Sequence, residues 1–135
     1  MKIYRFVNSN GDGLYQDNFW KEVGLPYDGD DLPIHQPPVY EDIKGWKWKD
    51  SKQYYCAFLN ATQIVSWFRD VSPLNVFIAG GQLFEIEIPD DHVLLGGRQC
   101  VYHKEHVSYI REISIDDFIE LVEPAMIKLK DVVCW

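Results

Sequence analysis

An α+β domain, compact and built on a mostly antiparallel mixed sheet with two or three short helices, is the fold class this sequence predicts. Three observations predict it. Short runs of β-branched and aromatic residues recur between clusters of Gly, Pro and Asn, the pattern of strands separated by turns. Two segments instead open on helix-capping residues and continue with apolar side chains at helical spacing. The 135 residues are 47% apolar and 15% aromatic, ample for one core and too hydrophobic for a disordered chain. One domain over residues 1–135 is the expectation.

Ile3-Tyr4-Arg5-Phe6-Val7 has strand composition and runs into Asn8-Ser9-Asn10-Gly11-Asp12-Gly13, residues that favour turns. Leu14-Tyr15 can resume as a short strand. Asp17 through Val23 reads as a brief helix with Phe19, Trp20 and Val23 on one side, ended by Gly24. From about residue 25 to 52 the chain is rich in Pro and aromatics, with Pro26, Pro33, Pro37, Pro38, Tyr27, Tyr40, Trp46 and Trp48, and predicts a long ordered loop of the kind that forms lids or binding surfaces.

Tyr54-Tyr55-Cys56-Ala57-Phe58 reads as a strand, and Asn60-Ala61-Thr62-Gln63 has the form of a capping box. The helix it starts buries Ile64, Val65, Trp67 and Phe68 and closes at Ser72-Pro73. Leu83 to Ile88 alternates apolar and charged residues, a strand with one buried face, delimited by Gly80-Gly81 and Pro89. Val93 to Leu95, Gln99 to His103 and Tyr109 to Ile113 are further strands, with Gly96-Gly97 a turn or bulge. Ser114 caps a last helix whose stripe is Phe118, Leu121 and Val122, with Asp116 and Asp117 at its positive end and Pro124 ending or kinking it.

The formal charge of −8 argues against nonspecific binding to nucleic acid, which needs clustered Lys and Arg. It fits either plain solubility or a basic protein partner. Cys56, Cys100 and Cys134 show no C-x-x-C spacing and read as reduced core thiols. The opening Met1-Lys2-Ile3-Tyr4-Arg5 carries no export pattern, and the longest uncharged run, Gln53 to Phe68, is too short and too polar to span a bilayer. A cytoplasmic protein with no membrane contact is expected.

No Walker loop, G-x-G-x-x-G, H-E-x-x-H or G-x-S-x-G is present, which removes P-loop hydrolases, Rossmann dehydrogenases, zincins and serine hydrolases from the leading readings. His103 and His106, at a strand end, should point to opposite faces, so no metal site is expected there. His35 beside Pro37-Pro38 either donates to a ligand or caps a turn. Glu85 and Glu87 share one strand face, suited to acid/base work or simply facing solvent. Arg5, between Tyr4 and Phe6, is either exposed at a sheet edge or holds an anion.

Four segments are taken together: Ile3-Tyr4-Arg5-Phe6 with Gly13-Leu14-Tyr15; Cys56-Ala57-Phe58-Leu59-Asn60-Ala61-Thr62-Gln63; Leu83 to Pro89; and Arg98-Gln99-Cys100-Val101-Tyr102 continuing through Val107. In this order they resemble the ADP-ribosyltransferase fold, and in particular small bacterial and phage proteins of uncharacterised function with a similar layout. The resemblance implies a cleft that takes NAD as substrate. Arg5 would bind a phosphate or the ribose, Asn60 or Thr62 would shape the cleft with His35, and Tyr15 would stack on nicotinamide. Chemistry there passes through an oxocarbenium-like ribose, which a carboxylate stabilises.

Gln99 stands where one register of the resemblance places glutamate, and an amide can bond a hydroxyl but neither supplies charge nor takes a proton. Glu87, with Glu85, serves in a competing register similar to the E-x-E pairs of arginine-specific members. The resemblance thus implies an NAD-binding ADP-ribosyltransferase-like protein that modifies a host protein or nucleic acid, or splits NAD, or binds NAD without turnover. The charge and the acids Asp28, Asp30, Asp31, Glu41 and Asp42 beside loop aromatics carry an alternative. This is a non-catalytic phage-type inhibitor of a host enzyme or defence factor, anti-CRISPR-like in kind.

Overall fold

Alternation in the first strand sets the architecture. In the computed structural model β1 spans Lys2–Val7, and its side chains serve two cores: Ile3 faces one way and Phe6 the other, both buried. The structure describes residues 1–11, 13, 42–43, 45–46, 52–67 and 73–133, the side chains of 129–133 excepted. The elements after β1 are β2 (Tyr54–Ala57), α1 (Ala61–Trp67), α2 (Pro73–Ile78), β3 (Gln82–Glu87), β4 (Val93–Leu95), β5 (Cys100–His103), β6 (Tyr109–Glu112) and α3 (Ile115–Val133). Single 3₁₀ turns cover Asp90–His92 and Lys104–His106.

The fold is α+β, as expected, but its strands form two three-stranded sheets rather than one. Their orders are β1-β3-β6 and β2-β5-β4, and every pairing is antiparallel. The sheets meet at a corner where Tyr4 and Phe58 exchange backbone hydrogen bonds of 2.8 and 2.6 Å. One face of the first sheet packs Phe6, Leu83 and Ile113 against Ile64, Val65, Trp67, Val76, Phe118 and Val122 of the helices. Phe118 anchors this layer, stacked on Phe77 at 4.8 Å and edge-on to Phe6 at 5.8 Å. The other face packs Ile3 and Ile86 against Ala57, Val93, Cys100 and Tyr102 of the second sheet.

Local chemistry explains the helix starts. Gln63 N–H donates to Asn60 Oδ1 at 3.0 Å, and Gln63 Oε1 reaches back to Leu59 N at 2.8 Å, one residue before the position a standard capping box uses. Asp117 N–H donates to Ser114 Oγ at 3.2 Å and starts α3. Pro73 and Pro124 both lie in helices. Pro73 opens α2, because the first helical position needs no N–H and welcomes the fixed φ of proline. Of the two outcomes expected at Pro124, an end or a kink, the end is corrected: α3 runs through it to Val133 and is not short, and Pro124 is exposed. The strand at Leu14-Tyr15, the helix at Asp17–Val23 and most of the loop at 25–52 lie outside the described residues. Among those described, Ile43 bridges to Gly96.

Candidate functional site

Arg5 shares its strand face with Ile3, so it points across the gap between the sheets at the corner that the Tyr4–Phe58 bonds hold shut. Its NH1 donates to the Cys56 carbonyl at 2.7 Å, and its guanidinium carbon lies 4.4 Å from the Tyr55 ring centroid. Lys104 Nζ sits 5.2 Å from the same ring. Gly13 passes so close that a Cβ there would fall 2.9 Å from Arg5 NH2. Arg5 is thus partly buried rather than simply exposed at a sheet edge, with no carboxylate bonded to it among the described residues.

Gln99 is 1% exposed and enters β5 beside this corner. Arg5 and Gln99 line one cavity, with Phe6, Cys56, Ala57, Phe58 and Trp67. Its enclosed volume is about 20 Å³, room for a water-sized group. Gln99 is placed by its backbone: its N–H and that of Arg98 each donate to Asp42 Oδ2 at 3.2 Å, and Gly97 N–H donates to Oδ1 at 3.0 Å. Three successive N–H groups therefore converge on one carboxylate, a nest of the kind that holds anions. Gln63 Nε2 donates to Gly96 O at 3.1 Å and ties this turn to the start of α1.

Of the residues singled out from sequence, Arg5 and Gln99 meet, and others do not join them. The Asn60 carboxamide oxygen is spent on the helix start. Thr62 is exposed on the first turn of α1. Glu87 is exposed on the opposite face of the first sheet, in an open groove of about 410 Å³ with Met1, Lys2, Ile88, Pro89 and Ser108. Glu85 shares its face but is buried, not solvent-facing, because Arg111 and Lys2 bond it. Tyr15 and His35 lie outside the described residues, as do Asp28, Asp30, Asp31 and Glu41. Asp42 is described, and its carboxylate is occupied by the nest rather than offered to a partner.

The electrostatics favour binding over nucleophilic chemistry. Burial pushes the Cys56 thiol up to about 11, with the nearby Arg5 charge pulling it down only in part. Burial pushes Cys100 to about 12 and the Tyr102 phenol to about 12. Both thiols are protonated at neutral pH and are poor nucleophiles. Arg5 and Gln99 are the polar side chains that line the cavity, beside the Cys56 thiol. The described residues lining it include no carboxylate.

His103 and His106 do not point apart: the 3₁₀ turn Lys104–His106 folds them to 4.6 Å between ring centroids, and His92 stacks on His106 at 3.7 Å. His103 Nδ1 accepts from Glu105 N at 3.3 Å. Among the described residues no group of three His, Cys, Asp or Glu is placed to hold a metal ion. Sequence reasoning missed Tyr55 and Lys104, and took Asp42 for an acid offered to a partner rather than one held by backbone N–H groups. The Gly96-Gly97 pair was the available signal for Asp42, since only glycine lets a carboxylate come so close to that backbone.

Two antiparallel three-stranded sheets and three helices among the described residues, with a small cavity at the sheet corner, define a small α+β protein. The family model for the Bacteriophage T4 Y00F protein matches residues 1–116, and the chain belongs to that family. No curated protein sequence and no solved structure matches the chain. The family bears out the phage side of the resemblance and carries nothing on ADP-ribose transfer. No described helix is long and apolar enough to cross a membrane.

Proposed function

We propose that this phage-family protein binds an anionic ligand at the Arg5 corner, with a nucleotide of the NAD type as the ligand its resemblance implies. The observation that carries the reading is Arg5 itself. It is partly buried over Tyr55, gives one hydrogen bond, to the Cys56 carbonyl, among the described residues, and shares a cavity with Gln99, where its forked donors suit a phosphate or a ribose hydroxyl. The enclosed space takes only a water-sized group, so the body of a dinucleotide would lie across the mouth, over Tyr55. With Gln99 in place of an acid, binding outlasts transfer: NAD turnover, onto a host protein or nucleic acid or onto water, is weak or lost.

The test is calorimetry with NAD, ADP-ribose and inorganic phosphate, together with labelled NAD to follow transfer and hydrolysis. Saturable binding that is lost in Arg5→Gln, with the fold intact by circular dichroism, is the expected result. No saturable binding of any of the three sinks the reading.

A second reading, an acidic inhibitor of a host enzyme or defence factor in the host cytoplasm, draws on α3. Exposed Asp116, Glu120 and Glu123 flank exposed Ile115, Ile119 and Ile127. Acids beside apolar side chains suit a basic protein surface. Charge reversal by Glu120→Lys with Glu123→Lys should abolish a salt-sensitive host complex; a complex indifferent to both changes argues against this surface.

A further inference from the structure

β6 is an edge of the first sheet and pairs with β3 alone among the described residues. Which of its backbone groups are committed follows from the ladder. Tyr4 exchanges bonds with Phe58 on the side of β1 away from β3, so Ile3, Arg5 and Val7 are the residues that bond to β3. The alternate β3 residues, Leu83, Glu85 and Glu87, turn toward β6, consistent with Ile113 N donating to Leu83 O at 2.9 Å. Tyr109 and Arg111 therefore bond inward. The N–H and C=O groups of Ile110 and Glu112 point off the edge.

Soluble proteins blunt such edges with charge, bulges or a covering segment. Here Arg111 and Glu112 guard one end, while Tyr109 is 55% and Ile110 53% exposed at the other. A donor and acceptor that no described residue bonds, flanked by two large apolar side chains, is a surface that another strand completes.

We propose that β6 pairs antiparallel with β6 of a second copy of this chain, about a two-fold axis at Ile110, joining the two three-stranded sheets into one of six strands. Side-chain complementarity selects that register. Centred on Ile110, the two isoleucines cover each other and exchange backbone bonds, and Tyr109 lies opposite Arg111 of the partner subunit, where ring and guanidinium attract. Centred on Arg111, two guanidinium groups would stand opposite each other and Ile110 would face a carboxylate. Centred on Glu112, two carboxylates would meet. Centred on Tyr109, the pairing would need the N–H of Ser108, which is already given to Glu87 O at 2.8 Å.

The experiment is sedimentation equilibrium of the full chain across its soluble concentration range. Wild type should move from a mass near 15.8 kDa toward twice that value as concentration rises. Ile110→Pro removes a donor that the protomer's own sheet does not use, so it should stay folded and monomeric. Should proline disturb the strand, Ile110→Lys serves the same end without touching the backbone. In a Cys134→Ser background, oxidised Ile110→Cys should give a covalent dimer, because directly paired Cα atoms fall within disulfide reach, and Glu112→Cys should not. A wild type that stays monomeric throughout, a dimer that survives both Ile110 variants, or cross-linking at Glu112 in preference to Ile110 overturns the proposal.

Discussion

Arg111 donates from Nε to Glu85 Oε2 at 2.6 Å across the β3–β6 pair, and this bond lets a carboxylate sit in a sheet face with a side-chain exposure of 7%. Lys2 Nζ adds a second cation at 3.3 Å on Oε1. The same contact holds the Arg111 charge, whose pKa the Glu85 bond raises further, and Asp117 of α3 joins at 3.6 Å.

Removing Arg111 leaves Glu85 buried with Lys2 alone, and a buried charge that loses its main partner is costly. Arg111→Met should lower Tm by roughly 5 °C or more, while Glu85→Gln with Arg111→Met together should recover part of the loss. Thermal melts of the four proteins measure the coupling. Equal Tm values in wild type and Arg111→Met would remove the ion pair from the account of stability.

Alkaline pH should destabilise this protein progressively from about 9 upward. Cys56 and Cys100 ordinarily titrate near 9.0 and Tyr102 near 10.0, and in the fold burial raises them to about 11, 12 and 12. A group whose pKa is raised by folding adds stability below its unfolded value and loses it as pH climbs toward the folded one. Each contributes about 1.4 kcal/mol of loss per pH unit inside its window. Urea midpoints at pH 8, 9, 10 and 11 should fall progressively after 9. Alkylation of Cys56 and Cys100 in the native protein, followed by mass spectrometry, should rise about tenfold per pH unit with no plateau below 10.

What the sequence made legible is local, and what it hid is contact between distant segments. The capping residues Asn60 and Ser114 and the strand compositions were readable because their partners lie three or four residues away. The run Leu83 to Ile88 looked one-faced, yet Leu83 enters the helix-side core, Ile86 the sheet-side core, and Glu85 is buried by Arg111, 26 residues on. The two sheets are joined at the Tyr4–Phe58 bridge, which no periodicity encodes. Arg5 stood out because a guanidinium in an aromatic strand is unusual. Its partners Tyr55 and Cys56 were invisible because they come from another strand.

Asn60 separates two roles that sequence left open. Its Oδ1 accepts from Gln63 N, so Asn60→Ala should cost about 1 kcal/mol of stability and Asn60→Asp almost nothing. Ligand affinity at the Arg5 corner should be unchanged in both. Denaturant titration beside calorimetry checks the two statements; weakened NAD binding by folded Asn60→Ala would return Asn60 to the cleft.

The Asp42 nest gives the last prediction. Its carboxylate is met by the N–H groups of Gly97, Arg98 and Gln99, and Gly96 approaches it so closely that an added Cβ would collide with Asp42 and lie 2.8 Å from Gln99 O. Asp42→Ala leaves three donors without their acceptor, at a cost of about 1–3 kcal/mol. Gly96→Ala should do comparable damage by pushing the carboxylate out. Because the two changes break one contact, their combined loss should fall well short of the sum. The turn also sets where Gln99 enters β5, so both variants should weaken any ligand at the Arg5 corner even where the fold survives. Additive stability losses in the double variant would show that the glycine and the carboxylate act separately.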